Sequence, residues 1–190
     1  MLRYHLQKIA GGRYLLGLLI FGSVLSGLSI QALAEPYGTG KYGADVPYGS
    51  QTSLTINTGS NVAIQITPTP SGVIGTGSNT VTVTSTDVVG YSLYIQSLSS
   101  TDMTNNGALL PASGNTSAGS LATNTWGYNA TGSTTNFIGI TSGNTLLKSA
   151  SGPFESGDTT TVTYGVKIDD AKPAGNYVTS VVYTAAPQTN

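Results

Sequence analysis

Once the first 34 residues are set aside, few side chains of this chain could do covalent or metal chemistry. The chain has no cysteine, and its only histidine, His5, and both arginines, Arg3 and Arg13, lie in that first segment. A Ser/His/Asp triad, a cysteine nucleophile and a histidine-based zinc site therefore cannot form in the remainder. The groups left for chemistry are hydroxyls, carboxylates, lysines and aromatic rings.

Lysine and aspartate leave two narrow possibilities. A serine–lysine dyad is conceivable, but Lys167 alternates with the apolar positions of its segment and should face solvent. Asp169 and Asp170, with Asp158 or Asp87, could supply oxygen ligands to calcium, but DxDxDG spacing is missing, and aspartates before turns usually stabilise the turn. We therefore predict a protein that is not an enzyme and has no cofactor, catalytic residue or metal site.

Aromatic side chains are the remaining candidates for ligand binding. Trp126, Tyr128, Tyr91 and Tyr94 could form a platform on which sugar rings stack, while neighbouring Asn and Thr bond to the sugar hydroxyls. Packing in a hydrophobic core is the alternative role of a lone tryptophan and its neighbouring tyrosines. The sequence leaves both roles open.

The elements that would position these residues are strands, because apolar residues alternate with polar ones along most of the chain. Alternation of this kind, rich in β-branched and aromatic residues and interrupted by Gly, Pro, Asn and Asp, predicts half-buried antiparallel strands of a sandwich or barrel. The predicted inward residues are Leu54, Ile56, Val62, Ile64, Ile66, Val81, Val83, Tyr91, Leu93, Ile95, Val162, Tyr164, Val166, Ile168, Tyr177, Val181 and Tyr183.

Turn-forming residues separate these segments. TPTPSG at 67–72 predicts a turn or a crossing between sheets, and DVVG at 87–90 predicts a hairpin. Weak periodicity over 99–123 predicts a long loop with one short helix around Leu109, or else an excursion at the edge of the sandwich. DDAKPAG at 169–175 predicts a tight connection into the last strand.

The N-terminus has the composition of a secretory signal peptide. A basic start with Arg3, Lys8 and Arg13 precedes an apolar run over 14–30 and the small-residue ending QALA. We therefore predict cleavage between Ala34 and Glu35. An uncleaved membrane anchor is the alternative, because the run approaches the length that spans a bilayer. The sequence thus predicts a signal peptide at 1–34, an extended Tyr/Gly arm at 35–50 and one domain at 51–190.

Charge argues against nucleic acid as a partner. Beyond residue 34 the chain has four lysines and eight acidic residues, a formal charge of −4, and no basic patch. Without cysteine no disulfide can form, so the stability of an exported domain must come from its core. After signal cleavage we expect no membrane span.

The chain resembles WxL-type and fimbrial cell-surface β-sandwich proteins of bacteria in two segments. These are TVTVTSTDVVGYSLYIQS at 80–97 and KPAGNYVTSVVYTAAP at 172–187, the second with the Pro-x-Gly-x-Tyr lead into a last strand, here Pro173, Gly175 and Tyr177. The resemblance implies an Ig-like or WxL-like sandwich at the cell surface. Trp-x-Leu pairs are missing, since Trp126 is followed by Gly-Tyr, so attachment to peptidoglycan does not carry over.

Together these observations predict an all-β, antiparallel Ig-like β-sandwich that is secreted or displayed on a bacterial surface. We expect it to serve as a structural or adhesive protein that binds a cell-wall or extracellular polysaccharide, a surface protein or copies of itself. One alternative is a carbohydrate-binding module built on Trp126 and the nearby tyrosines. Another is a filament subunit whose arm is donated as a strand to a neighbour.

Overall fold

A computed structural model describes residues 52–188, together with the backbone of two short strands near the N-terminus. The chain divides into two compact units, Met1–Tyr37 and Gly38–Asn190. In the first unit, β1 (Lys8–Ile9) pairs antiparallel with β2 (Arg13–Tyr14). The predicted cleavage site and the Tyr/Gly arm lie outside the described residues. Across 52–188 no helix is long and apolar enough to cross a membrane.

The larger sheet of the second unit has four antiparallel strands in the order β3-β4-β12-β9. Its strands are β3 (Ser53–Thr58), β4 (Val73–Thr86), β9 (Thr125–Asn129) and β12 (Phe154–Ile168). The two long strands β4 and β12 pair along most of their length, with an irregularity between Phe154 and Asp158. Threonine hydroxyls pair across them, as at Thr82 and Thr159, whose oxygens are 3.1 Å apart.

The second sheet has three antiparallel strands in the order β11-β5-β13. They are β5 (Gly90–Ser97), β11 (Thr145–Ser151) and β13 (Val181–Gln188). Short pairs complete the described strands: β6 (Met103–Asn105) with β7 (Ala108–Leu110), and β8 (Gly119–Ser120) with β10 (Asn136–Phe137).

One hydrophobic core joins the two sheets. Alternate residues of β4, β12 and β9 in the larger sheet, and of β5 in the smaller, are buried in a single cluster that includes Val83, Leu93 and Val162. Strand β13 of the smaller sheet approaches β3 of the larger. The arrangement is all-β and consistent with a β-sandwich, so the coarse prediction of an antiparallel all-β fold is confirmed.

Two local predictions are wrong. The expected helix around Leu109 is the hairpin β6–β7, whose turn residues Asn106 and Gly107 have φ of 47° and 90°. An Asn-Gly pair tolerates two positive φ values, which a two-residue hairpin turn requires. Residues 87–90 do not form a hairpin either, because β4 and β5 belong to different sheets and this segment crosses between them.

The alternation in NVAIQIT at 61–67 predicts a strand, and this segment has the expected side-chain pattern but no ladder. Val62, Ile64 and Ile66 pack against the core, while the residues between them are exposed. The segment crosses the glycines of β4: a Cβ on Gly77 would lie 2.6 Å from Val62, and one on Gly75 would lie 2.5 Å from Ile66. The glycines therefore make room for an extended segment that belongs to neither sheet.

Candidate functional site

The four aromatic residues predicted as a sugar platform do not form one surface. Trp126, Tyr128 and Tyr91 are buried, with relative exposures of 0%, 1% and 0%. Tyr94 is half-buried and lies on the opposite face of β5 from Tyr91, because an odd spacing changes the face of a strand. In this conformation the three buried rings have the core role and offer no open face for stacking.

Trp126 is held by both its ring and its indole nitrogen. The indole N–H donates to the carbonyl oxygen of Thr101 at 2.9 Å, and the ring lies 6.5 Å from that of Tyr164. Tyr91 packs edge-to-face on Phe154 with a centroid distance of 5.6 Å. A buried indole N–H normally finds such a partner, so these contacts account for the positions of both aromatics without a ligand.

Buried tyrosine hydroxyls link the two sheets. The hydroxyls of Tyr164 on β12 and Tyr183 on β13 share a short hydrogen bond, and the Tyr183 hydroxyl donates to Asn79 at 3.2 Å. The hydroxyl of Tyr128, opposite Tyr164 in the register, has no hydrogen bond of normal length in the described part. Burial raises the pKa of all three tyrosines, with the Tyr164–Tyr183 contact adding to the rise at Tyr164.

A second polar cluster joins three strands. Lys148 on β11 contacts Asp158 on β12 at 2.7 Å, and the Tyr91 hydroxyl on β5 donates to the other carboxylate oxygen at 2.8 Å. Burial alone would raise the pKa of Asp158, but the hydrogen bonds from Lys148 and Tyr91 outweigh it and lower the pKa. Burial, followed by the carboxylate, raises the pKa of Tyr91. The arrangement is an ion pair that fixes β11 against β12.

A solvent-open hollow of about 430 Å³ lies beside this ion pair. Its wall includes Thr131, Lys148 and the threonines at 159–161, with no aromatic ring among the lining residues. The buried hydroxyl of Thr160 has no hydrogen-bond partner of normal geometry among residues 52–188. The hollow could accept hydrogen bonds from a polar molecule or donate them, but it has no ring on which a sugar could stack.

Lys172 and Asp169 have structural contacts. Lys172 donates to the carbonyl of Leu109 at 2.8 Å, and the Asp169 carboxylate accepts from Asn124 at 2.9 Å and from the backbone of Ala171 at 3.1 Å. Lys167 is half-buried rather than fully exposed. Within the described part, no group of three carboxylates or histidines could hold a metal ion. Asp169 therefore stabilises the turn that follows β12.

Edges of the sheets are the other surfaces at which a partner could bind, and the β9 edge is covered. The outward N–H and C=O of Trp126 pair with Pro111 and Ser113 at 3.2 and 2.7 Å. Those of Tyr128 pair with Ile138 at 2.9 and 2.7 Å. The central backbone of β9 is thus hydrogen-bonded on both sides, which closes this edge to another strand.

Side chains seal the same edge. Gly127 and Gly165 are cross-strand partners, and the Phe137 ring lies where the Gly165 side chain would be, 2.3 Å from an added Cβ. Phe137 is fully buried although it lies outside the main core cluster. The backbone approaches equally closely at Gly139, whose added Cβ would lie 1.7 Å from the carbonyl oxygen of Ser113.

The opposite edge of the four-stranded sheet is open in the described part. Strand β3 pairs only with β4, and all its residues except Leu54 are exposed. Ile56, predicted to face inward with Leu54, is 38% exposed and lies outside the core cluster. After Gly59, which still donates to Thr80 at 2.7 Å, the chain leaves the ladder.

Residues 60–68 then make no backbone hydrogen bond to any other described residue. Backbone groups without a partner among the described residues are hydrogen-bonded by water, by residues outside the described part or by another chain. No charged residue occurs between Asp45 and Asp87, so β3 and 60–68 also lack the charges that commonly protect an edge. We call the edge strand Ser53–Thr58, together with 60–68, the segment that follows it outside both sheets, the open edge.

The sequence contained signals for part of this site. Uncharged composition between Asp45 and Asp87 is visible in the sequence, and the Asn106–Gly107 pair is a strong hairpin signal. No sequence pattern predicts the contacts among Lys148, Asp158 and Tyr91, because strand pairing and sheet packing bring these distant residues together.

Comparison with known proteins identifies no relative of this chain. No protein-family model, no curated protein and no solved structure matches this chain significantly.

Proposed function

We propose that this chain is a structural or adhesive protein of a bacterial surface, that it acts by binding, and that its sandwich is Ig-like. The single observation that carries the proposal is the open edge, where exposed strand backbone and an uncharged surface occur together. Unpaired N–H and C=O groups along an extended segment are a template for pairing with another chain. Such a surface supports binding through the backbone.

Four further features support this role. The signal-peptide pattern at 1–34 favours export, and the resemblance at 80–97 and 172–187 favours a surface protein. Threonine hydroxyl pairs such as Thr82 with Thr159 give the larger sheet a polar outer face. A chain without cysteine keeps its stability independent of the redox state outside the cell.

Of the two alternatives, the filament subunit shares this observation and the carbohydrate module does not. The rings required for a sugar platform, Trp126, Tyr128 and Tyr91, are buried in the core. An open edge is what a strand-pairing assembly requires.

A tagged full-length chain expressed in a bacterial host tests the proposal. We expect the protein to begin at Glu35 after export, to be digested by protease added to intact cells, and to increase cell–cell or cell–surface adhesion. A matched chain lacking 14–30 should stay inside and confer no adhesion. Retention of the intact chain inside the cell, or surface display without any gain in adhesion, would contradict the proposal.

A further inference from the structure

We propose that two copies of this chain associate edge to edge, with 61–67 of one copy pairing antiparallel with 61–67 of the other. The inference rests on the proposed binding role and deepens it by naming the partner. Its basis is the open edge, where an extended segment has the side-chain alternation of a strand but no hydrogen-bonded neighbour among the described residues.

The segment already has the conformation that pairing needs. Val62, Ile64 and Ile66 are fixed against the core and against the glycines of β4, so the backbone between them is held extended. A partner strand would then find the N–H donors and C=O acceptors of 61–67 already in place, without the entropy cost of ordering this segment. Pairing with this preformed segment therefore costs less entropy than pairing with a segment that must fold on binding.

The sequence NVAIQIT is complementary to itself in an antiparallel register centred on Ile64. Val62 then faces Ile66 of the other copy, and Ala63 faces Gln65. The Val62–Ile66 pair joins two β-branched residues, which is favourable across strands. The Ala63–Gln65 pair is uncharged, and alanine is small enough to leave room for the glutamine side chain. A two-fold axis through Ile64 gives the isologous interface that is usual for homodimers.

Charge favours a second copy over a charged partner. The open edge contains no Lys, Arg, Asp or Glu, so two copies meet without like-charge repulsion. By contrast β11, one of the two outer strands of the smaller sheet, carries Lys148. Prolines at 68 and 70 follow the segment, and because proline cannot donate a backbone hydrogen bond, they confine the ladder to 61–67.

Charge substitutions at the two outward positions test both the contact and its register. The double variant Ala63→Lys/Gln65→Lys places like charges opposite one another, and we expect it to raise the dimer dissociation constant by about tenfold or more in sedimentation velocity. In Ala63→Glu/Gln65→Lys, the new carboxylate at 63 faces the new ammonium at 65 of the other copy. Association should return toward that of the unmodified, exported protein.

Two matched controls separate this contact from others. Leu146→Lys puts a lysine on β11 at an exposed position, and it should leave the dissociation constant unchanged. Deletion of 35–50 should also leave association intact. Loss of association on that deletion, with no effect of the charges at 63 and 65, would instead show donation of the Tyr/Gly arm and overturn the edge-to-edge contact.

Hydrogen exchange gives a readout that does not depend on any variant. Amides within 61–67 should become protected as the protein concentration rises through the dissociation constant, while those of β11 should not change. A protein that is monomeric at every concentration, or one that dimerises with 61–67 still exchanging freely, would overturn the inference. Surface adhesion by a protein that stays monomeric would leave the proposed function standing.

Discussion

At the β9 edge of the four-stranded sheet, the outward backbone groups of Trp126 and Tyr128 are all hydrogen-bonded, whereas at the β3 edge no described residue pairs beyond β4. Both edges belong to one sheet and both lack charges. The difference lies in the described segments that flank each strand: those around Ser113, before β9, and Ile138, after it, cover β9, whereas 60–68, after β3, makes no backbone hydrogen bond to it.

This difference shows that composition alone does not protect an edge. Where the sequence supplies no charge, coverage by the chain's own backbone is one of the other means of blocking another strand. The β9 side uses that means, and close glycine contacts make it possible. In the described part the β3 side has no such cover, and this is the backbone at which we propose that a partner pairs. The β9 edge should therefore respond to substitution through folding, and the β3 edge through association.

The largest expected effect is at the covered edge. Gly139→Ala would place a Cβ 1.7 Å from the Ser113 carbonyl oxygen, so the backbone covering β9 must move. We expect a loss of about 1–3 kcal/mol in the free energy of unfolding, measured by urea denaturation. At Gly143 an added Cβ meets no atom within 4 Å, so Gly143→Ala is the matched control and should not destabilise. Equal stability of both variants would show that the cover is loosely packed.

An intermediate effect is expected at β11, where the edge is charged. Asp158→Asn removes the carboxylate that contacts Lys148 and Tyr91, and for a partly exposed ion pair the cost at pH 7 should be about 1 kcal/mol. The pKa of Asp158 is lowered by folding, so its contribution is present above the unfolded pKa and is lost as the pH falls through the folded pKa.

The unmodified protein and the Asp158→Asn variant should therefore converge in stability as the pH falls below about 4. Urea midpoints at neutral and acidic pH measure this difference. Glu155→Gln, at an exposed position of the same strand, is the control and should show little pH-dependent difference. A constant gap between Asp158→Asn and the unmodified protein would contradict the role given to this ion pair.

The smallest effect on folding is expected at the open edge. Ile56 is 38% exposed and outside the core cluster, so Ile56→Thr should change the free energy of unfolding of the monomer by no more than about 0.5 kcal/mol. Thermal unfolding at low protein concentration measures this. A loss comparable with that of Gly139→Ala would mean that β3 is part of the structural core, and the contrast between the two edges would fail.

Prediction from sequence succeeded where a strand has a buried face and neighbours on both sides. Alternation identified the inward residues of β4, β5 and β12, because burial of one face produces the period of two. At 61–67 the same alternation correctly predicted which side chains face inward. It also predicted a paired strand, and no ladder forms there among the described residues. Periodicity reports which side is buried, and it contains no information about whether another strand lies alongside.

The candidate site was harder to predict for a related reason. Trp126 and Tyr128 alternate in the same way whether they line a core or a binding platform, so only the packing of the facing sheet distinguishes the two roles. The hairpin at Asn106–Gly107 was predictable from local turn chemistry, but the weak periodicity around it favoured a loop and helix. The crossing at 87–90 depends on sheet assignment, which is a tertiary property.

The buried hydroxyls that link Tyr164 and Tyr183 make the stability of the protein sensitive to alkaline pH. Folding raises the pKa of these two tyrosines and of Tyr91 and Tyr128, chiefly because burial disfavours the phenolate. Their contribution to stability is complete below the unfolded tyrosine pKa of about 10 and is lost as the pH rises above it. Alkaline pH should therefore unfold the protein cooperatively. The ultraviolet absorbance of phenolate should appear at the same pH at which β structure is lost.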